Sequence, residues 1–233
     1  MTRLTVLAAG DFGAAVASRL ADRYPGSEVV DTTTREHLAD WPALDVLVLA
    51  AGYDEPPLVE MVERAAFAWR RPWFPVLLEH SQLRCGPVVV PGVTACHVCF
   101  RRRRRQHAKS PELWADTPAP VLPGTRERVT GWARYHVELG FGLAVRAVAD
   151  AVEPTPEAPG GWVRTVGLVD GGVRRAGVVA VDACGRCRDA SARPRRTAEL
   201  VATLRAAVAA GRGADGRPGD RPVRSGHVDS GER

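Results

Sequence analysis

Four of the five cysteines fall into two Cys-x-x-Cys pairs, Cys96/Cys99 and Cys184/Cys187. A two-residue gap lets both sulfurs of a pair turn toward one metal ion. Four thiolates then close a tetrahedral zinc site with no position left for a substrate. The spacing predicts a structural zinc that pins the middle of the chain to its far part. Redox dithiols, disulfides and accidental pairing are the competing readings. A thioredoxin-like motif would explain one pair, but Cys96 and Cys99 end the strand-like run that follows Pro91, and a matching second pair exists. His97, inside the first pair, could replace a missing thiolate; with four cysteines present it is expected beside the ligands or at the surface. Cys85 is left without a partner and is expected to be a small buried apolar residue.

Other chemistry is narrowed by what the chain lacks. Lys109 is the sole lysine, and it sits in a proline-rich loop, so neither a lysine-bearing phosphate loop nor a Schiff-base enzyme is plausible. Glu79 and His80 could form an acid/base pair, but no nucleophile or second carboxylate is spaced to join them. The largest local charge is the run Arg101, Arg102, Arg103, Arg104 and Arg105. An acidic peptide or partner could dock on it through arginine–carboxylate pairs, and a solvated helix face is the plainer reading. The net charge of +5 is carried almost wholly by arginine. No aromatics interleave that run and no recognition-helix motif is present, which argues against nucleic acid.

The elements that must position these residues follow from the apolar pattern. Leu4 to Leu7 reads as a strand, residues 8–13 as a glycine turn, and Ala14 to Arg23 as a helix. Strands at 28–30, 45–51 and 73–78, with a helix opened by Pro56 and Pro57 and running to Trp69, predict a Rossmann-like, doubly wound, mostly parallel α/β sheet. Val88 to Val90 reads as a strand leading into the first cysteine pair, residues 108–128 as a long loop, and Val129 to Val152 as a helix weakened by Gly140 and Gly142. Strands at 162–169 and 173–181, flanking Asp170-Gly171-Gly172, form a C-terminal β-hairpin that delivers the second pair. A last helix is expected over 197–210. The expected organisation is one domain over residues 1–210 and a disordered tail over 211–233, whose composition cannot bury enough apolar surface to order itself.

With 45% hydrophobic and 25% charged residues, the composition is that of an ordinary globular chain. No apolar stretch reaches the length of a membrane span and no signal peptide is visible, so a cytoplasmic location without membrane contact is the default. A dinucleotide or ATP fold needs glycines after its first strand. Here Ala8 replaces the first, Gly10 and Gly13 keep the other two positions, and Asp31, eighteen residues past Gly13, stands where a carboxylate takes a ribose hydroxyl. Glycines that merely allow close helix–strand packing are the alternative. Between Asp31 and Arg64 the only firmly cationic residue is Arg35, so the charge balance argues against a bound triphosphate.

These features, with the segment Gly86-Pro87-Val88-Val89-Val90-Pro91-Gly92-Val93-Thr94-Ala95-Cys96-His97-Val98-Cys99 and the late Cys184-Gly185-Arg186-Cys187, resemble the ThiF/MoeB-like superfamily of ubiquitin-activating-enzyme-like proteins. The match is to the branch of ThiF-like partner proteins in thiazole/oxazole-modified peptide biosynthesis, over about residues 4–190. The resemblance implies a role beside a YcaO-type cyclodehydratase, which uses ATP to turn Cys, Ser or Thr of a ribosomal precursor peptide into azolines. This chain would bind or present that peptide without catalysing. Adenylating members carry an arginine-bearing segment and a lysine after the second strand, which this chain lacks, so it looks like a pseudoenzyme. An adenylating enzyme acting on a carboxyl terminus is the alternative. Peptide-recognising members tend to carry a winged-helix-like leader-binding domain before the first strand, where this sequence opens, so a scaffold bridging other proteins stands beside peptide binding. Adenylating relatives are often dimers, which leaves a homodimer open.

Overall fold

The computed structural model describes residues 1–34, 38–79, 81–107, 131–153, 161–182, 184–187 and 205. The chain divides into two units, Met1–Arg188 and Asp189–Arg233, and the architecture below is that of the first. The helix expected over 197–210 and the tail beyond it lie outside the described residues, apart from Arg205. The same holds for Arg35, His80 and the loop around Lys109.

Seven strands form one sheet in the order β2-β1-β3-β4-β5-β6-β7. In chain order, the elements are β1 Leu4–Ala9, α1 Gly10–Arg23, β2 Glu28–Asp31, β3 Val46–Ala51, α2 Pro56–Trp69 and β4 Trp73–Glu79. They continue with β5 Gln82–Cys85, α3 His97–Gln106, α4 Arg134–Val152, β6 Trp162–Gly167 and β7 Val173–Gly177. β1, β2, β3 and β4 run parallel, whereas β4–β5, β5–β6 and β6–β7 pair antiparallel. The sheet is therefore mixed rather than mostly parallel, because after β4 the chain turns back directly instead of crossing over through a helix.

Helices cover both faces of the parallel half. Leu4, Val6, Ala8, Val48, Ala50 and Val76 point to the side of α1 and α4, while Leu7, Ala9, Leu47, Leu49 and Leu77 point to the side of α2. Burial on both sides is why β1 and β3 are unbroken apolar runs. α1 begins at Gly10, four residues before the expected start, since that glycine takes φ +70° and makes the turn in one step. A Cβ on Gly13 would stand 2.2 Å from the Ala50 carbonyl oxygen, so this position lets α1 press onto β3. α4 is continuous through Gly140, where a Cβ would meet Phe12, Val16 and Val76 at 3.4 Å; the glycine permits the α1–α4 approach instead of weakening the helix.

The strand expected at Val88–Val90 is reduced to one bridge, Val89 to Trp73, because Pro87 and Pro91 bracket it and remove ladder donors. The strand proper lies earlier, at β5, whose short Gln-Leu-Arg-Cys run hides its pattern behind a buried arginine. β6 and β7 are shorter than the runs read from the sequence. Their turn is closed by Gly167 N–H donating to the Gly172 carbonyl at 2.8 Å and by the Gly172 amide on Asp170 Oδ1 at 2.9 Å.

Candidate metal centre

The first cysteine pair is presented by a turn that folds on itself. Thr94 N–H donates to the Val90 carbonyl at 3.0 Å, and the Val90 amide returns a bond to Thr94 Oγ1 at 2.8 Å. Cys96 then occupies the N-cap position of α3 and Cys99 sits in its first turn. The second pair follows β7 on a turn over residues 185–187. The four sulfurs all lie within 4.8 Å of one another. Cys96 to Cys99 is 3.8 Å, Cys96 to Cys184 3.7 Å and Cys99 to Cys187 3.5 Å. A tetrahedron with Zn–S of about 2.3 Å places its sulfurs about 3.8 Å apart, whereas a disulfide needs about 2.0 Å. The four cysteines are free thiols set where they could hold one metal ion, as the spacing predicts.

The surroundings act on the thiols in opposite directions. The Cys96 amide donates to Cys187 Sγ at 3.1 Å and the Val181 amide to Cys99 Sγ at 3.2 Å. Burial pushes the Cys184 thiol up, but amides of Cys187 and Arg186 and the neighbouring thiols outweigh it and bring it down to about 7. The Cys99 thiol is pushed up by burial. A metal ion would reverse that, because coordination deprotonates the thiol outright.

Glu63 joins the two pairs, and sequence reasoning missed it. Its buried carboxylate, reaching from α2, accepts the His97 amide at 2.7 Å on Oε1 and Arg186 Nη1 at 3.3 Å on Oε2. One oxygen thus satisfies an orphan amide at the start of α3, and the other neutralises the arginine inside the second pair. Burial raises the Glu63 pKa despite those bonds. The signal was a carboxylate, the second on α2 after Glu60, set among Met61, Val62, Ala65 and Ala66. His97 itself contributes no ligand: its ring is buried between Trp73 and Phe100, at 5.6 and 5.4 Å, and burial holds it neutral.

Within the arginine run, Arg103 and Arg104 make contacts inside the chain. Arg103 donates to the carbonyls of Val179 and Ala180 at 3.5 and 3.3 Å, holding the stretch that leads to Cys184. Arg104 forks onto both oxygens of Glu79 at 2.9 Å each. Arg101 and Arg105 are half-buried and Arg102 is exposed. Glu79 also takes Arg84 Nε at 2.8 Å and Gln82 Nε2. Burial works to raise its pKa, but the two arginines override that and hold it at about 2. So firmly ionised a carboxylate is a counter-ion, not a general base near neutrality. Arg84, fully buried, further reaches Asp54 at 3.3 Å, the Gly86 carbonyl at 2.7 Å and the face of Phe100. Cys85, beside it, is buried as expected, and burial pushes its thiol up to about 12.

The nucleotide-like positions lie apart from the cysteines, at the carboxyl ends of β1, β2 and β3. Asp31 is exposed at the end of β2, and its carboxylate already accepts the amide and hydroxyl of Thr33 at 2.8 and 2.7 Å. Arg84 reaches Asp54, just past the end of β3, at 3.3 Å and is also held by Glu79 at 2.8 Å. Phe12, three residues into α1, is capped by Trp132 edge-on at 6.2 Å.

The same fold occurs in a heterocyclase, TruD. The likeness has a TM-score of 0.54 at 20% identity and covers 84% of this chain. A heterocyclase in complex with substrate and cofactor matches at TM-score 0.57, 18% identity and 81% coverage. The chain spans only 28% and 26% of those two chains. The E. coli microcin synthetase McbBCD complex with pro-MccB17 bound matches at TM-score 0.54 and 11% identity, over 79% of this chain and 69% of that one. No protein family matches the sequence, and no curated protein does. No helix among the described residues is long and apolar enough to cross a membrane.

Proposed function

We propose that this chain is a zinc-bearing, non-catalytic component of azole-containing ribosomal peptide biosynthesis, a ThiF-like protein that binds or presents a precursor peptide to a YcaO-type cyclodehydratase. The observation that carries the reading is the recurrence of this fold, over about four fifths of the chain, in heterocyclases and in a microcin synthetase complex holding its peptide. Two features of the chain support it. The cysteine set has the separations of a closed tetrahedral zinc site, which builds structure and leaves no open position for chemistry. Arg84, whose guanidinium reaches Asp54 just past β3, is bound to carboxylates, and phosphoryl or adenylyl transfer depends on free positive charge. Gly10, Gly13 and Asp31 then serve as folding positions inherited from a nucleotide-type architecture. Peptide and cyclodehydratase are the partners, with the arginine helix α3 clasping the metal half.

Reconstitution tests this directly. Each ring formed removes one water from the precursor, so mass spectrometry reads the reaction. Omitting this chain should suppress ring formation by cyclodehydratase, ATP and precursor. The alternative, an adenylating enzyme acting on a carboxyl terminus, requires pyrophosphate exchange by the pure protein, and sustained exchange would replace our reading with that one.

A further inference from the structure

β7 is the last strand in the described sheet, and among the described residues the backbone groups on its outer side have no strand partner. The inner hydrogen bonds of Gly167 to Gly172 and of Val178 to Gly161 fix the alternation of the β6–β7 ladder. In that register Arg174 and Ala176 bond inward, so the N–H and C=O groups of Val173, Arg175 and Gly177 point away from β6. All five residues are exposed, and among the described residues no strand other than β6 pairs with them.

The side chains on this edge say what would pair there. Arg174 is 81% exposed, with Asp170 at 4.0 Å. Arg175 lies flat on Trp162, its guanidinium carbon 3.4 Å from the ring centroid. Stacking fixes a guanidinium while leaving its in-plane N–H donors available for a carboxylate. Among the described residues, Arg175 has no carboxylate partner, and across the ladder it faces Arg164, whose own charge is met by Asp150 at 2.6 Å. Charged residues on an edge deter pairing with an identical edge, since a second copy would bring its own arginines. The same charges favour a strand of opposite sign.

We infer that β7 is a docking edge for an extended acidic peptide, which adds to the sheet through Val173, Arg175 and Gly177. Neighbouring residues of a strand project to opposite faces, so two consecutive carboxylates would meet Arg174 and Arg175 separately. Only the identification of that peptide with a synthetase precursor rests on the function proposed above; the docking does not.

The test uses the full metal-loaded chain and short fluorescein-labelled Thr/Val peptides with a central Glu-Glu or Lys-Lys, read by anisotropy. The Glu-Glu peptide should bind saturably and about tenfold tighter than the Lys-Lys peptide, the combined worth of two exposed ion pairs. Arg174→Glu with Arg175→Glu should reverse the order while metal content stays unchanged. N-methylating alternate amides of the Glu-Glu peptide should abolish binding in one register and spare it in the other. Equal binding of both peptides, equal effects of both N-methylation registers, or self-association of the wild type that the double variant strengthens would each overturn the proposal. Because no cyclodehydratase is present, a failed reconstitution leaves this result standing, and a failed peptide titration leaves the reconstitution standing.

Discussion

The two halves of this sheet are held by different forces. In the parallel half, β1, β3 and β4 are sealed by continuous apolar residues between α1, α4 and α2, and buried charge is scarce. In the antiparallel half, a small apolar cluster around Cys96, Cys99, Val163, Val178 and Cys184 is surrounded by Glu63, Glu79, Arg84, Arg104 and Arg186 in paired contacts. Apolar burial is non-directional and tolerates many sequences, whereas buried ion pairs and sulfur ligands work only in one geometry. The first half is thus a generic platform. The second half registers two distant parts of the chain, residues 96–99 and 184–187, with little hydrophobic area to do so.

The sharpest way to break that comparison is to remove the metal. Chelation, or Cys96→Ser with Cys184→Ser, should cost more than about 4 kcal/mol, since ligand binding in such centres is itself folding free energy. The loss should be regional. Hydrogen exchange is expected to accelerate in α3 and residues 178–187 while amides of β1 and β3 stay protected. Metal analysis of the wild type should return one zinc per chain, and uniform loss of protection across the sheet would dissolve the distinction between the halves.

Next in size is Glu79. Its pKa is held at about 2 in the folded protein against an ordinary 4.5. A depressed carboxylate contributes stability above its unfolded pKa and loses it as pH falls through the folded value. The contribution is about 3 kcal/mol at pH 7. Glu63 acts with the opposite sign, because its pKa is raised on folding. Comparing wild type with Glu79→Gln by urea unfolding isolates the first effect from metal release, which both proteins share. The gap should be about 3 kcal/mol at pH 7 and have fallen by roughly half at pH 3. A gap that does not change with pH would mean that the arginines do not hold this carboxylate.

The same division explains what could be read in the sequence. Leu4–Leu7, 45–51 and 73–78 announced their strands because residues buried on both faces leave unbroken apolar runs. The two cysteine pairs announced the metal centre because ligand spacing is local. β5 was hidden, since Arg84 breaks its pattern and is tolerated through Glu79 on the neighbouring strand and through Asp54 and the Phe100 face, the last two farther away in the sequence. Glu63 escaped for the same reason: its partners, His97 and Arg186, lie 34 and 123 residues away. The arginine run read as solvated because nothing local shows that Arg103 and Arg104 are spent on carbonyls and on Glu79.

The smallest expected effect probes the platform itself, through three glycines that differ only in their surroundings. Gly13→Ala places a methyl 2.2 Å from the Ala50 carbonyl oxygen, a backbone atom that cannot step aside, and should cost about 2–3 kcal/mol. Gly140→Ala gains helix propensity but forces Phe12, Val16 and Val76 outward from 3.4 Å, so the two terms offset. Gly142→Ala meets nothing within 4 Å and keeps only the gain, about 0.5–1 kcal/mol, or roughly 2 °C in Tm. All three should leave metal content unchanged, because none touches the cysteine half. If Gly142→Ala instead destabilised the protein, the exposed side of α4 would have to be covered in solution, and the platform would no longer be a surface that packs on one side only.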